Sequence, residues 1–122
     1  MSQKRLPDTE FLVMKAVWQC PELPVSTHDI MKHLPNDRGW KPQTVLTLLK
    51  RLADKGFLES ERKGKERFYT PIISEADYLA IETDNFMKRY KGNSISSLVR
   101  TFFTSNDVSA EELEELRHLL EE

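Results

Sequence analysis

Apolar positions along the chain recur first at helical spacing, then briefly at strand spacing, then at helical spacing to the end. From Asp8 to Cys20 the chain is apolar round much of its circumference, with Phe11, Met14, Val17 and Trp18 on one side and Val13 beside them, which predicts a buried helix. Pro21 and Pro24 end it. Ser26 then caps a short second helix, with Asp29 three residues on and Val25 and Ile30 placed as a hydrophobic staple; Thr27, Ile30, Met31 and Leu34 face its core. The run Pro35-Asn36-Asp37-Arg38-Gly39 has turn chemistry, and Pro42 suits the first position of a third helix, although Lys41 before it brings no side-chain cap.

That third helix has the cleanest period: Val45, Leu48, Leu49 and Leu52 fall at i, i+3, i+4 and i+7, and Gly56 closes it. At about 100 degrees per residue, Gln43, Thr47, Lys50 and Asp54 point directly away from the core, with Leu46 on one flank and Thr44 and Arg51 on the other. Two strand-like runs follow, Phe57 to Arg62 and Arg67 to Ile72, joined as a hairpin by Lys63-Gly64-Lys65-Glu66; Pro71 puts the second strand at an edge or close to its own end. Beyond Ser74 the pattern is wholly helical. A helix opened by Ser74 and Asp77 carries Leu79, Phe86 and Tyr90 and stops at Gly92-Asn93. The next carries Ile95, Leu98, Val99, Phe102 and Phe103, and the last opens with the capping box Ser109 to Glu112 and a Val108–Leu113 staple, then continues through Leu116 and Leu120.

Helix, short helix, helix, hairpin is the winged helix-turn-helix plan, so the predicted fold is mainly α with a small β-hairpin: a DNA-binding domain over residues 1–73 and a three-helix dimerisation domain over 74–122. Charge supports the division. The first 73 residues hold 13 lysines and arginines against 9 carboxylates, a balance of +4, and the remainder hold 5 against 11, a balance of −6, which suits the first part alone to phosphate. On the outward face of the third helix, Gln43 has the groups to pair with adenine, and Thr47 and Lys50 reach base edges or phosphate. Leu46 either meets a thymine methyl or packs under the hairpin. Arg62, Lys63, Lys65 and Arg67 around Gly64 suit either phosphate contact or solubility. The apolar stripes after Ser74 (Leu79, Phe86, Tyr90, Ile95, Leu98, Val99, Phe102, Phe103, Leu113, Leu116, Leu120) are broader than three short helices can bury alone, which predicts a homodimer.

Composition excludes several classes. The chain has 122 residues, 39% hydrophobic and 31% charged, with no apolar run long enough to cross a bilayer and no apolar segment behind its first basic residues, so a cytoplasmic protein without membrane contact is expected. The single cysteine, Cys20, has no Cys or His neighbour at zinc-like spacing, and His28 and His33 lie about 140 degrees apart on a helix, so neither a metal nor a cofactor is expected. No nucleophile elbow or phosphate-binding glycine loop marks an enzyme. Trp18 and Trp40 are read as core and turn-packing residues. The competing reading is a winged-helix module whose third helix binds protein, which calls for an apolar or acidic face where this one is polar and partly basic.

From Trp40 to Leu52 (Trp40-Lys41-Pro42-Gln43-Thr44-Val45-Leu46-Thr47-Leu48-Leu49-Lys50-Arg51-Leu52) and again at Lys55-Gly56-Phe57-Leu58, the chain resembles the BlaI/MecI family of β-lactamase and methicillin-resistance repressors. The likeness extends to Glu10–Trp18, Phe68-Tyr69, Tyr90-Lys91-Gly92, Ser97-Leu98-Val99 and Glu112–Arg117. It implies a homodimer that represses β-lactam-resistance genes at two-fold symmetric operators, and that a sensor-linked protease inactivates by a cut in the C-terminal domain. The family's cut, between Asn and Phe, maps to Thr101 and Phe102, where the phenylalanine is kept and the asparagine is replaced. The paired Cys-x-Cys of copper-responsive relatives is missing.

Overall fold

The computed structural model describes residues 5–36, 38–92 and 94–121. The expectations resting on Asp37, Asn93 and the first four residues fall outside these. The chain runs α1 (Asp8–Gln19), β1 (Val25–Ser26), α2 (Thr27–Lys32), α3 (Pro42–Asp54), β2 (Leu58–Lys63), β3 (Glu66–Pro71), α4 (Glu75–Arg89), α5 (Ile95–Ser105) and α6 (Ala110–Glu121). It divides into two compact units, one up to Asn85 and one from Phe86.

In the first unit, helices α1 to α3 bury the apolar faces expected of them: Val13, Met14 and Val17 from α1, Ile30 from α2, and Val45, Leu48, Leu49 and Leu52 from α3. Phe11, Trp18 and Met31 pack at the margin of this core, and Trp18 Nε1 donates to the Ile73 carbonyl at 3.0 Å. α3 starts at Pro42 with no side-chain cap from Lys41. It ends in a Schellman motif: Gly56 takes φ +85°, its N–H reaches the Ala53 carbonyl, and the Phe57 N–H reaches Leu52. Only a residue without Cβ adopts that φ freely. The cap turns the chain directly into β2.

The sheet differs from a lone hairpin. Val25 and Ser26 form a short strand antiparallel to β3, paired with Tyr69 and Phe68, so the order is β1-β3-β2 and β3 is central, with Pro71 as its last residue. Ser26 also serves as the expected cap of α2, its hydroxyl accepting from the Asp29 N–H at 3.2 Å. Lys63 pairs with Glu66, so the wing turn is the two residues Gly64-Lys65 rather than four, with Gly64 at φ +65°. A two-residue hairpin turn needs such a positive φ because its twist matches that of the strands.

Two contacts tie distant segments to this core. Glu10 is buried on α1 and forms an ion pair with Lys55 at the end of α3. Tyr78 is fully buried, packing its ring 5.8 Å from Phe11, 5.7 Å from Trp18 and 5.7 Å from Phe57. Its hydroxyl accepts from the Leu6 N–H and donates to the Glu82 carboxylate, both at 2.8 Å. The first unit therefore continues past Ser74, where the charge changes sign, into α4.

In the second unit α5 is capped by Ser94, whose hydroxyl accepts from the Ser97 N–H, and α6 by Ser109, which accepts from Glu112, the forward half of the expected capping box. Neither helix buries a single residue.

Candidate nucleic-acid interface

With Val45, Leu48, Leu49 and Leu52 turned inward, α3 presents Gln43, Thr44, Leu46, Thr47, Lys50 and Arg51 to solvent. Thr47 Oγ1 donates to the Gln43 carbonyl at 3.0 Å, which leaves its lone pairs and its methyl facing out. Lys50 reaches Asp54 at 3.2 Å, one turn along, through an exposed pair of the kind that contributes little and breaks readily. The wing carries Arg62, Lys63, Lys65 and Arg67, all exposed. Lys63 lies 3.3 Å from Glu61 and 5.6 Å from the Phe68 ring centroid, and Arg67 is oriented by a 2.7 Å hydrogen bond to Ser60 Oγ.

The structure brings only part of the expected set together. Leu46, Arg62, Lys65 and Arg67 line one groove of about 420 Å³, while Gln43, Thr44, Thr47, Lys50 and Arg51 remain on the open face of α3. Leu46 is 38% exposed at the margin of that groove, so it is not sealed beneath the wing. Ser26, Thr27 and His28, which sequence reasoning did not assign to this surface, line the same groove. The pairing of Ser26 with Phe68 places the start of α2 beside Arg67, and a two-residue strand carries no periodic signal by which to foresee it.

Cys20 is buried, 3.6 Å from His33 Nδ1; burial pushes its thiol pKa up and the Asp29 carboxylate adds to the shift, which keeps the sulfur protonated. Among the described residues no three His, Cys, Asp or Glu side chains converge as metal ligands. None of the described helices is long and apolar enough to cross a membrane. Trp40 packs at the edge of the core, with the Arg38 guanidinium 5.8 Å from its ring.

The apolar residues expected at a dimer interface are exposed or half-buried. Leu79 is 44% exposed, Phe86 47%, Ile95 66%, Phe102 52% and Leu120 84%; Tyr90, Val99, Leu113 and Leu116 are exposed too, and Leu98 and Phe103 half-buried. The Thr101–Phe102 bond falls inside α5, with Thr101 Oγ1 donating to the Ser97 carbonyl at 2.9 Å.

A three-helix core with a three-stranded wing, a polar and basic outer face on its third helix and a basic groove beside it defines a winged-helix DNA-binding protein with a helical C-terminal segment. Residues 6–122 match the family model described as Penicillinase repressor, and the chain belongs to that family, whose members are transcriptional repressors rather than enzymes. It is 34% identical to the Penicillinase repressor of Bacillus licheniformis, over 98% of this chain and 94% of that one. It is 30% identical to the Methicillin resistance regulatory protein MecI of Mammaliicoccus sciuri, over 94% and 92%. Two solution structures share its winged half at 35% identity and 63% coverage of this chain: the DNA-binding domain of the repressor BlaI (TM-score 0.51, 94% of that chain) and the Bacillus licheniformis BlaI monomeric form in complex with the blaP half-operator (TM-score 0.50, 92%).

Proposed function

We propose that the protein is a homodimeric cytoplasmic repressor that binds two-fold symmetric operator DNA, of the kind governing β-lactam-resistance genes, and is inactivated by a sensor-linked protease at or near Thr101–Phe102. Residues 1–73 bind the duplex and residues 74–122 join two copies. The observation that carries this reading is the exposed face of α3, polar and basic over an apolar inner face, flanked by a groove that holds three wing cations. The half-operator complex of a relative 35% identical over the winged half supports the DNA partner. The open apolar faces of α4, α5 and α6 support the dimer, since two copies related by a two-fold axis present two third helices to two half-sites.

Selection of bound sites from a random duplex pool tests the reading and is expected to return a palindrome. A salt series on the selected site should show a steep fall in affinity; a flat response belongs to a protein-binding module and contradicts the proposal.

Gln43 and Thr47 lie in the first half of α3, where recognition helices meet base edges. Gln43→Ala is expected to cost about 1 to 3 kcal/mol on the preferred site and to relax one base pair per half-site. A selected-site profile identical to the parent's would assign readout to another residue of that face.

Lys63 and Lys65 act through phosphate. Replacing both with alanine should weaken all duplexes alike and reduce the salt slope by about 0.9 for each phosphate that is no longer neutralised. A drop in base discrimination at constant slope contradicts that role.

A further inference from the structure

The groove between the start of α2, Leu46 and the wing has a net positive lining. Arg62, Lys65 and Arg67 supply three cations against one carboxylate, Glu66, which stands opposite Lys63 across the wing turn. Arg67 is held in place by Ser60, while the α3 side of the groove is the uncharged Leu46. His28 lines the same groove. On its own helix the neighbouring charges are Asp29 and Lys32, an exposed pair 3.3 Å apart that adds no net charge beside His28. The imidazole of His28 is exposed, and histidine is the side chain that changes charge between about pH 5 and 8.

We propose that this groove seats a backbone phosphate of the bound duplex and that protonated His28 is the fourth cation of the seat. The proposal rests on the DNA-binding reading above and extends it to a residue on α2, outside both the recognition helix and the wing. A phosphate held in the groove that Arg62, Lys65, Arg67 and His28 line stabilises the imidazolium. Binding therefore takes up a proton at each half-site as pH falls. The added affinity is present at the lower pH, where histidine carries its charge, and is lost as pH rises.

The test uses the full chain and a random-sequence duplex, because a phosphate contact is independent of base sequence. Affinity is measured against salt at about pH 8 and about pH 6, either side of the imidazole transition. The parent is expected to bind more tightly at the lower pH by about tenfold for each seat filled, about 100-fold for a dimer that fills both, the gain of one charge-assisted hydrogen bond per half-site. Its salt slope should be steeper there by about 0.9 for each further phosphate neutralised, roughly two for a dimer. His28→Asn should bind with the same affinity and slope at both pH values, and His28→Lys, with a fixed charge, should hold the tighter affinity and steeper slope at both. A pH response and slope change that persist in His28→Asn overturn the assignment while leaving DNA binding intact. Failure to bind any duplex at either pH overturns this seat together with the function it rests on.

Discussion

Tyr78→Ala is expected to destabilise the winged half more than any single change to its DNA-binding face. The ring is fully buried among Phe11, Trp18 and Phe57, and truncating a large buried aromatic side chain costs about 3 to 5 kcal/mol. A small domain is stable by only about 5 to 15 kcal/mol, so the variant should lose at least about a fifth of its margin, and its melting temperature should fall by more than about 10 °C. Thermal unfolding followed by circular dichroism measures this. A fall of no more than a few degrees would mean that Tyr78 is not the anchor its packing describes.

The hydroxyl has a separate signature. Burial, with the Glu82 carboxylate acting in the same sense, pushes the Tyr78 pKa up to about 12 from the ordinary 10, against the opposing effects of the Leu6 N–H and Arg5. The folded state thus holds the neutral phenol more firmly than the unfolded chain does. Its stabilising effect is whole below about pH 10 and is lost at about 1.4 kcal/mol per pH unit as pH climbs towards about 12. Tyr78→Phe keeps the ring, removes this alkaline dependence, and leaves the Leu6 N–H without its partner at a cost of about 1 to 3 kcal/mol at neutral pH.

Tyr78 also marks where local sequence pattern stops being informative. The stripe Leu79, Phe86 and Tyr90 is the visible apolar face of α4, yet Leu79 is 44% exposed and its neighbour Tyr78, about 100 degrees round the helix, enters the core. A periodic stripe identifies one apolar face, whereas α4 begins in one compact unit and ends in the other. By contrast α3 is legible in full, because one buried face fixes its opposite: every residue assigned outward there is exposed. β1 is hidden since Val25 and Ser26 already read as a staple and a cap, and a strand of two residues has no alternation to betray it. With β1 hidden, so is the part of the groove that His28 lines. The Glu10–Lys55 ion pair likewise joins residues too far apart in the chain for local pattern to connect.

Truncation after Arg100 is expected to abolish the dimer and lower operator affinity by about 100-fold or more, since dimerisation makes binding at the second half-site intramolecular at an effective concentration that reaches the millimolar range. The cut divides α5 and removes Phe102, Phe103 and all of α6, with Leu113, Leu116 and Leu120. Each such side chain contributes about 1.5 to 3 kcal/mol in gross burial against a partner, before the costs of ordering and association are subtracted. None of them belongs to the core of the winged half, whose buried cluster ends at Tyr78 with Ile81 packed against it. The fragment should therefore melt at nearly the parent's temperature in its winged half and bind a single half-site with unaltered base preference, while sedimenting as a monomer. This combination separates loss of the dimer from loss of the fold. It also yields, without any protease, a fragment one residue shorter than the N-terminal product expected from cleavage at Thr101–Phe102, a bond within α5. A fragment that stays dimeric and holds its full operator as tightly as the intact chain contradicts the proposed switch, whichever protease acts on the protein.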